Sequence, residues 1–150
     1  MAEAVPQPVA PVAQWVYDAE VDIAERQDLG QGPGGARFIV PILGGSFQGV
    51  RGLRGRVLAG GADRQLLRPD GVKELDALYE MQTDDGAVIT VHNRVLIDDT
   101  RQPELYRRSV VRLTAPAGPH EWLNRRVFVG TLESLRPARM GVRIRVFLLD

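Results

Sequence analysis

The sequence predicts an all-β fold, a closed eight-stranded antiparallel β-barrel with a central cavity, and three observations predict it. Eight runs alternate apolar and polar residues with period two, as a strand with one buried face does. No run is long and 3.6-periodic enough for an extended helix. Turn-forming residues separate the runs, and 16 Gly and 10 Pro in 150 residues suit many short elements. Eight antiparallel strands would leave two raw edges, and closure into a barrel removes both. A barrel of eight strands is just wide enough for one small ligand. A β-sandwich is the competing arrangement.

Taken in order, residues 1–14 (MAEAVPQPVAPVAQ) hold three prolines and no basic stretch. They predict a flexible tail rather than a signal peptide, followed by one domain over residues 15–150. Residues 15–25 alternate apolar with acidic side chains. Residues 37–47 are more apolar and carry Pro41 and Gly44-Gly45. Between them, residues 27–35 (QDLGQGPGG) read as a flexible loop able to cover a barrel mouth. Residues 53–59 alternate Arg with small or apolar residues. Gly60-Gly61 and Pro69-Asp70-Gly71 then bracket a loop holding Asp63, Arg64 and Gln65.

Residues 73–83 set Leu75, Ala77, Tyr79 and Met81 against Glu74, Asp76, Glu80 and Gln82. Thr83-Asp84-Asp85-Gly86 is a hairpin signal, because Gly takes the positive φ of a tight turn. Strands over residues 87–97, 106–114, 126–135 and 139–149 complete the eight, with a turn of helix at residues 120–124. Gly44, Gly45, Gly55 and Gly130, inside strands, allow the bends that closure needs.

Composition narrows the function classes. Net charge is zero, which argues against nucleic acid and an anionic membrane surface as partners. The absence of Cys excludes disulfides, thiolate nucleophiles and Cys-ligated metals. Two isolated histidines and no His-Glu-x-x-His pattern predict no metal site. Walker and Gly-x-Ser-x-Gly patterns are missing, and no apolar run reaches the roughly 20 residues of a membrane helix. The cations comprise 18 Arg and a single Lys, Lys73.

Four segments carry a resemblance. They are residues 41–49 (PILGGSFQG), 55–63 (GRVLAGGAD), 83–87 (TDDGA) and 122–124 (WLN). In this order and spacing the chain resembles the domain-of-unknown-function 3237 family of bacteria and fungi, over about residues 15–150. The resemblance implies a compact antiparallel barrel with a central cavity. It also implies an affinity with fungal cofactor-free cyclases that add a hydroxyl across an alkene. Two positions depart from the family's pattern: Arg64 stands where an aromatic residue is common, and Val95 where Gly usually follows Asn93-Arg94.

The residues themselves support acid–base chemistry, which needs a proton donor and acceptor converging in a pocket that shifts their pKa values toward neutrality. Asp63 is the first candidate, with His92 or Tyr79 as its catalytic partner. His92 qualifies if its strand face turns inward, as the residue type that titrates near neutral pH. Tyr79 shares a face with Leu75, Ala77 and Met81 and so points into the barrel, where its hydroxyl needs a partner. Arg94, Arg107 and Arg108 are candidates to clamp a carboxylate or stabilise an enolate or phenolate. Phe47 and Trp122 are candidate pocket walls, Gln65 and Asn124 candidate hydrogen-bonding groups. Each has a structural alternative: turn former for Asp63, solvent face for His92 and the arginines, core for the aromatics.

The expected protein is therefore a cytoplasmic homo-oligomer acting as a cofactor-free lyase, isomerase or cyclase on a small apolar or aromatic molecule. A non-catalytic carrier barrel is the alternative, and a subunit-interaction domain with a filled barrel is a third.

Overall fold

The computed structural model describes residues 3–150. Ten strand segments are present: β1 Ala13–Ile23, β2 Gln27–Gly32, β3 Gly35–Gly49, β4 Arg54–Val57, β5 Ala62–Leu67, β6 Lys73–Thr83, β7 Val88–Asp98, β8 Tyr106–Thr114, β9 Phe128–Ser134 and β10 Gly141–Leu149. All pairings are antiparallel. The ring runs β1-β10-β9-β8-β7-β6, then β4 and β5 end to end in one position, then β3, which bonds back to β1. Eight positions thus close a barrel. Among the described residues no helix is long and apolar enough to cross a membrane.

β4 and β5 share a position because each lies between β6 and a different half of β3. β4 pairs with residues 45–48 of β3, and β5 with residues 36–41. The 15-residue β3 is long enough to serve both, and it is flanked on its other side by β1 and then β2.

Two sequence expectations need correction. Residues 27–35 are not a loop: they form β2 and its turn into β3, a hairpin with a bulge between Asp28 and Gly30. β2 is exposed along almost its whole length, so no buried face imposes alternation on its sequence, and backbone pairing alone makes it a strand. Residues 62–67, expected in a loop, form β5. The two residues it turns into the cavity, Asp63 and Gln65, are polar, which weakens the apolar signature of a strand. Conversely, the strand expected over residues 53–59 is paired only at Arg54–Val57.

Where the alternation is strong it corresponds to burial. Leu75, Ala77, Tyr79 and Met81 of β6 are buried and their neighbours Glu74, Asp76 and Leu78 exposed. At one end, which carries the connections 50–53, 84–87 and 115–127, the barrel is filled by Tyr17, Phe47, Leu53, Met81, Ile89, Leu123 and Phe128. Each such side chain contributes roughly 2 kcal/mol of burial. The 3-10 turn Glu121–Arg125 drops Leu123 into this plug. The outer wall carries much of the arginine excess. Arg139 bonds Asp22 and Glu20, and Arg143 bonds Glu20 and Glu133.

Candidate active site

The opposite end of the barrel, carrying the turns at 68–72, 99–105 and 135–140, is open. Below it lies a cavity of about 210 Å³, to which every position of the ring contributes a side chain. Val21, Val40, Ile42, Leu75, Val95 and Ile144 make its walls apolar. An engineered apolar cavity of about 150 Å³ holds benzene, so this volume suits one small ring with a short substituent.

A few polar groups interrupt these walls. Asp63 of β5 stands opposite Ala77 of β6 and Val40 of β3. Its Oδ2 accepts a hydrogen bond from Gln65 Nε2 at 2.9 Å, two residues along the same strand face. Its Oδ1 is buried with no protein partner. Tyr79, on the same face of β6 as Ala77, lines the cavity with its hydroxyl buried and unpartnered. Asn93, paired with Ala77 from β7, also lines it, with Oδ1 buried and unpartnered. Buried polar atoms are nearly always hydrogen-bonded, and leaving one without a partner costs about 1–3 kcal/mol. Three of them surround one small cavity, and a polar guest there would give each a partner.

Burial pushes the Asp63 carboxyl up to about 6, against the opposing hydrogen bond from Gln65. Burial, and secondarily the Asp63 charge, raises Tyr79 above the usual tyrosine range. A carboxyl so placed can take up or release a proton near neutrality, while a phenol raised in this way stays protonated.

The rim is charged. Lys73, the first residue of β6, lines the mouth together with Asp99 and Arg107. Asp99 accepts from Arg107 Nε at 3.2 Å and from Nη2 at 2.7 Å.

Of the residues singled out from sequence, the barrel thus brings Asp63, Gln65 and Tyr79 together, with Arg107 at the mouth. The others lie elsewhere. His92 sits on the outer face, where its Nε2 meets Asp76 Oδ1 at 2.7 Å. Arg94 and Arg108 are exposed on that face too, Arg108 lying over the Tyr106 ring. β7 turns its apolar parity, Ile89, Val91, Val95 and Ile97, inward, so residues 92 and 94 face out. Phe47 is in the plug at the closed end, edge-on to Tyr17. Trp122 packs there beside Phe128, with Arg51 over its ring. Asn124 bonds both backbone groups of Ala115, at 2.7 and 2.9 Å, and so pins the end of the plug.

Sequence reading missed Asn93, Lys73 and Asp99. Asn93 was detectable: it is the single polar residue in the apolar parity of β7. Register reveals it as well, because a hairpin centred on Asp85 sets Met81 opposite Ile89, Tyr79 opposite Val91 and Ala77 opposite Asn93.

A family model described as "Protein of unknown function (DUF3237)" matches residues 11–149. A UPF0311 protein of Rhodopseudomonas palustris (strain TIE-1) is 33% identical over 131 residues, 79% of this chain and 85% of the relative. The crystal structure of a beta-barrel like protein from Acinetobacter baumannii AYE superposes with a TM-score of 0.85 at 27% identity, covering 96% of this chain and 99% of that one. An enzyme from Penicillium herquei shares the fold with a TM-score of 0.78 at 20% identity, over 98% and 100% of the two chains.

Proposed function

The chain belongs to the DUF3237 family of proteins of unknown function, and from that premise we propose that its cavity is the active site of a cofactor-independent acid–base enzyme. The reaction is of the lyase, isomerase or cyclase class, and the substrate is a small, mainly apolar molecule. One observation carries this reading: a carboxyl group with a pKa of about 6 lines an apolar cavity with Tyr79 and Asn93, and all three bring a buried polar atom without a protein partner.

The chemistry needs nothing beyond these groups. Ionised Asp63 takes a proton from a C–H or O–H of the substrate. The neutral acid so formed returns it to a second atom of the same molecule, or to a leaving group, and Asp63 ends as it began. Tyr79, held protonated, donates to the oxygen on which charge develops, and the Asn93 amide orients the same end of the substrate. Gln65 is a positioning residue: its bond to Oδ2 leaves Oδ1 as the proton-transferring atom. That a Penicillium herquei chain of this fold is an enzyme agrees with catalysis in such a barrel.

Proton exchange from small cyclic ketones in deuterium oxide, followed by NMR, tests the proposal without knowledge of the natural substrate. The parent is expected to accelerate exchange for the members that fit. Asp63→Asn should lose about 10²–10⁴-fold of that rate, yet still shift the Tyr79 and Asn93 signals when ligand is added. Equal rates for parent and Asp63→Asn overturn the assignment of Asp63. Binding with no acceleration by either protein points instead to the carrier barrel.

A further inference from the structure

We propose that Lys73 is the recognition site for an anionic head group, so that the ligand of this cavity is a small apolar monocarboxylate held head-outward. The inference rests on the cavity being the binding site, as proposed above, and adds the class of molecule it takes.

Lys73 is the only lysine of the chain. It is also the only charged residue on the inward face of β6: the same parity continues as Leu75, Ala77, Tyr79, Met81 and Thr83. Alternation therefore turns its side chain into the mouth, where it lines the cavity wall. The other cation at the mouth is already occupied. Arg107 holds Asp99 through two hydrogen bonds that match its fork to the carboxylate. Lys73 has no ion pair among the described residues. Of the two cations lining the cavity, it is the one not held in an ion pair; its charge reaches Asp63 only through space, where it weakly opposes the effect of burial.

Position along the strand gives the orientation. Asp63 lies level with Ala77, four residues from Lys73, a separation of roughly 13 Å along the strand at about 3.3 Å per residue. The flexible lysine stem reaches down across part of that distance. A molecule with an anionic head at Lys73 then sets its apolar body between Leu75, Val95 and Ile97 and its far end beside Asp63, Tyr79 and Asn93. One lysine with three rotatable donors suits a singly charged head. A phosphate dianion would need further cations, and Arg107 is committed to Asp99. The walls exclude a second charged group on the body of the ligand, because a charge among these aliphatic side chains would have no partner.

Cyclohexanecarboxylate and its neutral isostere cyclohexanecarboxamide test this by NMR titration at pH 7 against the parent, Lys73→Met and Lys73→Arg, all first checked for folding by circular dichroism. The carboxylate is expected to bind the parent at least tenfold more tightly than the amide. Lys73→Met should abolish that preference while leaving the affinity for the amide within twofold, and Lys73→Arg should retain it. Equal affinity of the two isosteres for the parent overturns the anionic head group and leaves the cavity reading intact. So does a preference that survives in Lys73→Met. If neither isostere moves the signals of Tyr79 and Asn93, both the head-group proposal and the cavity as the binding site fall.

Discussion

Asp63 is a residue whose proton is worth measuring apart from any reaction. Folding lifts its pKa from 3.8 to about 6, chiefly by burial, so the folded state holds the proton more tightly than the unfolded chain. Below pH 4 both states are protonated and no penalty arises. Between pH 4 and 6 the unfolded state gives up its proton first, stability falls as pH rises, and the deficit is complete above pH 6. At 1.36 kcal/mol per pKa unit it amounts to about 3 kcal/mol. Asp63→Asn, which keeps an oxygen to accept from Gln65, should therefore be more stable than the parent by about 3 kcal/mol at pH 8 and nearly equal to it at pH 3.5. Urea unfolding at the two pH values measures this, and a difference that does not change with pH contradicts a buried, titrating carboxyl. The residue scale is also where sequence reading divides most sharply. Tyr79 was legible because it sits in a clean apolar parity. His92 and Asn93 are adjacent, and only the parity of β7 separates an outer-wall histidine from a cavity asparagine. Chemical character favoured the histidine, yet the pleat turned it outward.

Among the elements, those with a buried apolar face were legible: β6, β7, β8 and β10 fall within a residue or two of the expected bounds. β5 was not, because the strand that carries the candidate proton carrier is polar on the side where a strand normally announces itself. A polar cavity face and a recognisable strand pattern were in conflict there. Gly45 of β3 shows the opposite case, a residue whose role is purely architectural. Its φ of +138° lies in the region that favours glycine, and a Cβ placed on it would come within 2.1 Å of the Glu20 carbonyl oxygen of β1. This contact lies on the seam where β3 meets β1 and the ring closes. Gly45→Ala should cost roughly 2–5 kcal/mol, seen as a lower urea midpoint. A parental midpoint would mean that the seam yields far more readily than its geometry implies.

Across the whole molecule, the two ends have divided the work. One end is solid with aromatic and aliphatic side chains and makes the barrel stable. The other retains its space, at a cost in packing that a filled barrel would avoid. Ala77 tests whether that space is a function or a defect. It lies level with Asp63 and Asn93, lines the cavity and is buried. Ala77→Leu is expected to leave the melting temperature unchanged or to raise stability by about 1 kcal/mol through added burial, while the cyclohexane ligands no longer bind. Retained binding in a stable Ala77→Leu protein would place the ligand elsewhere on the surface.

The paired half-strands β4 and β5 have a consequence of their own. Their connection passes through Gly60, where the chain takes a positive φ and an added Cβ would meet nothing, and is anchored on either side by Leu58 N donating to Glu80 O and by Gly61 O accepting from Ile42 N, both at 2.9 Å. β5 is held by six residue pairs to β3 and six to β6, none of which involves the solid end. The half-strand bearing Asp63 is thus held by its own pairings, apart from those of β4 at the next level of the wall. Changes confined to β5 therefore re-aim Asp63 at the open end, while the pairing of β4 with β3 and β6 keeps the plugged end closed.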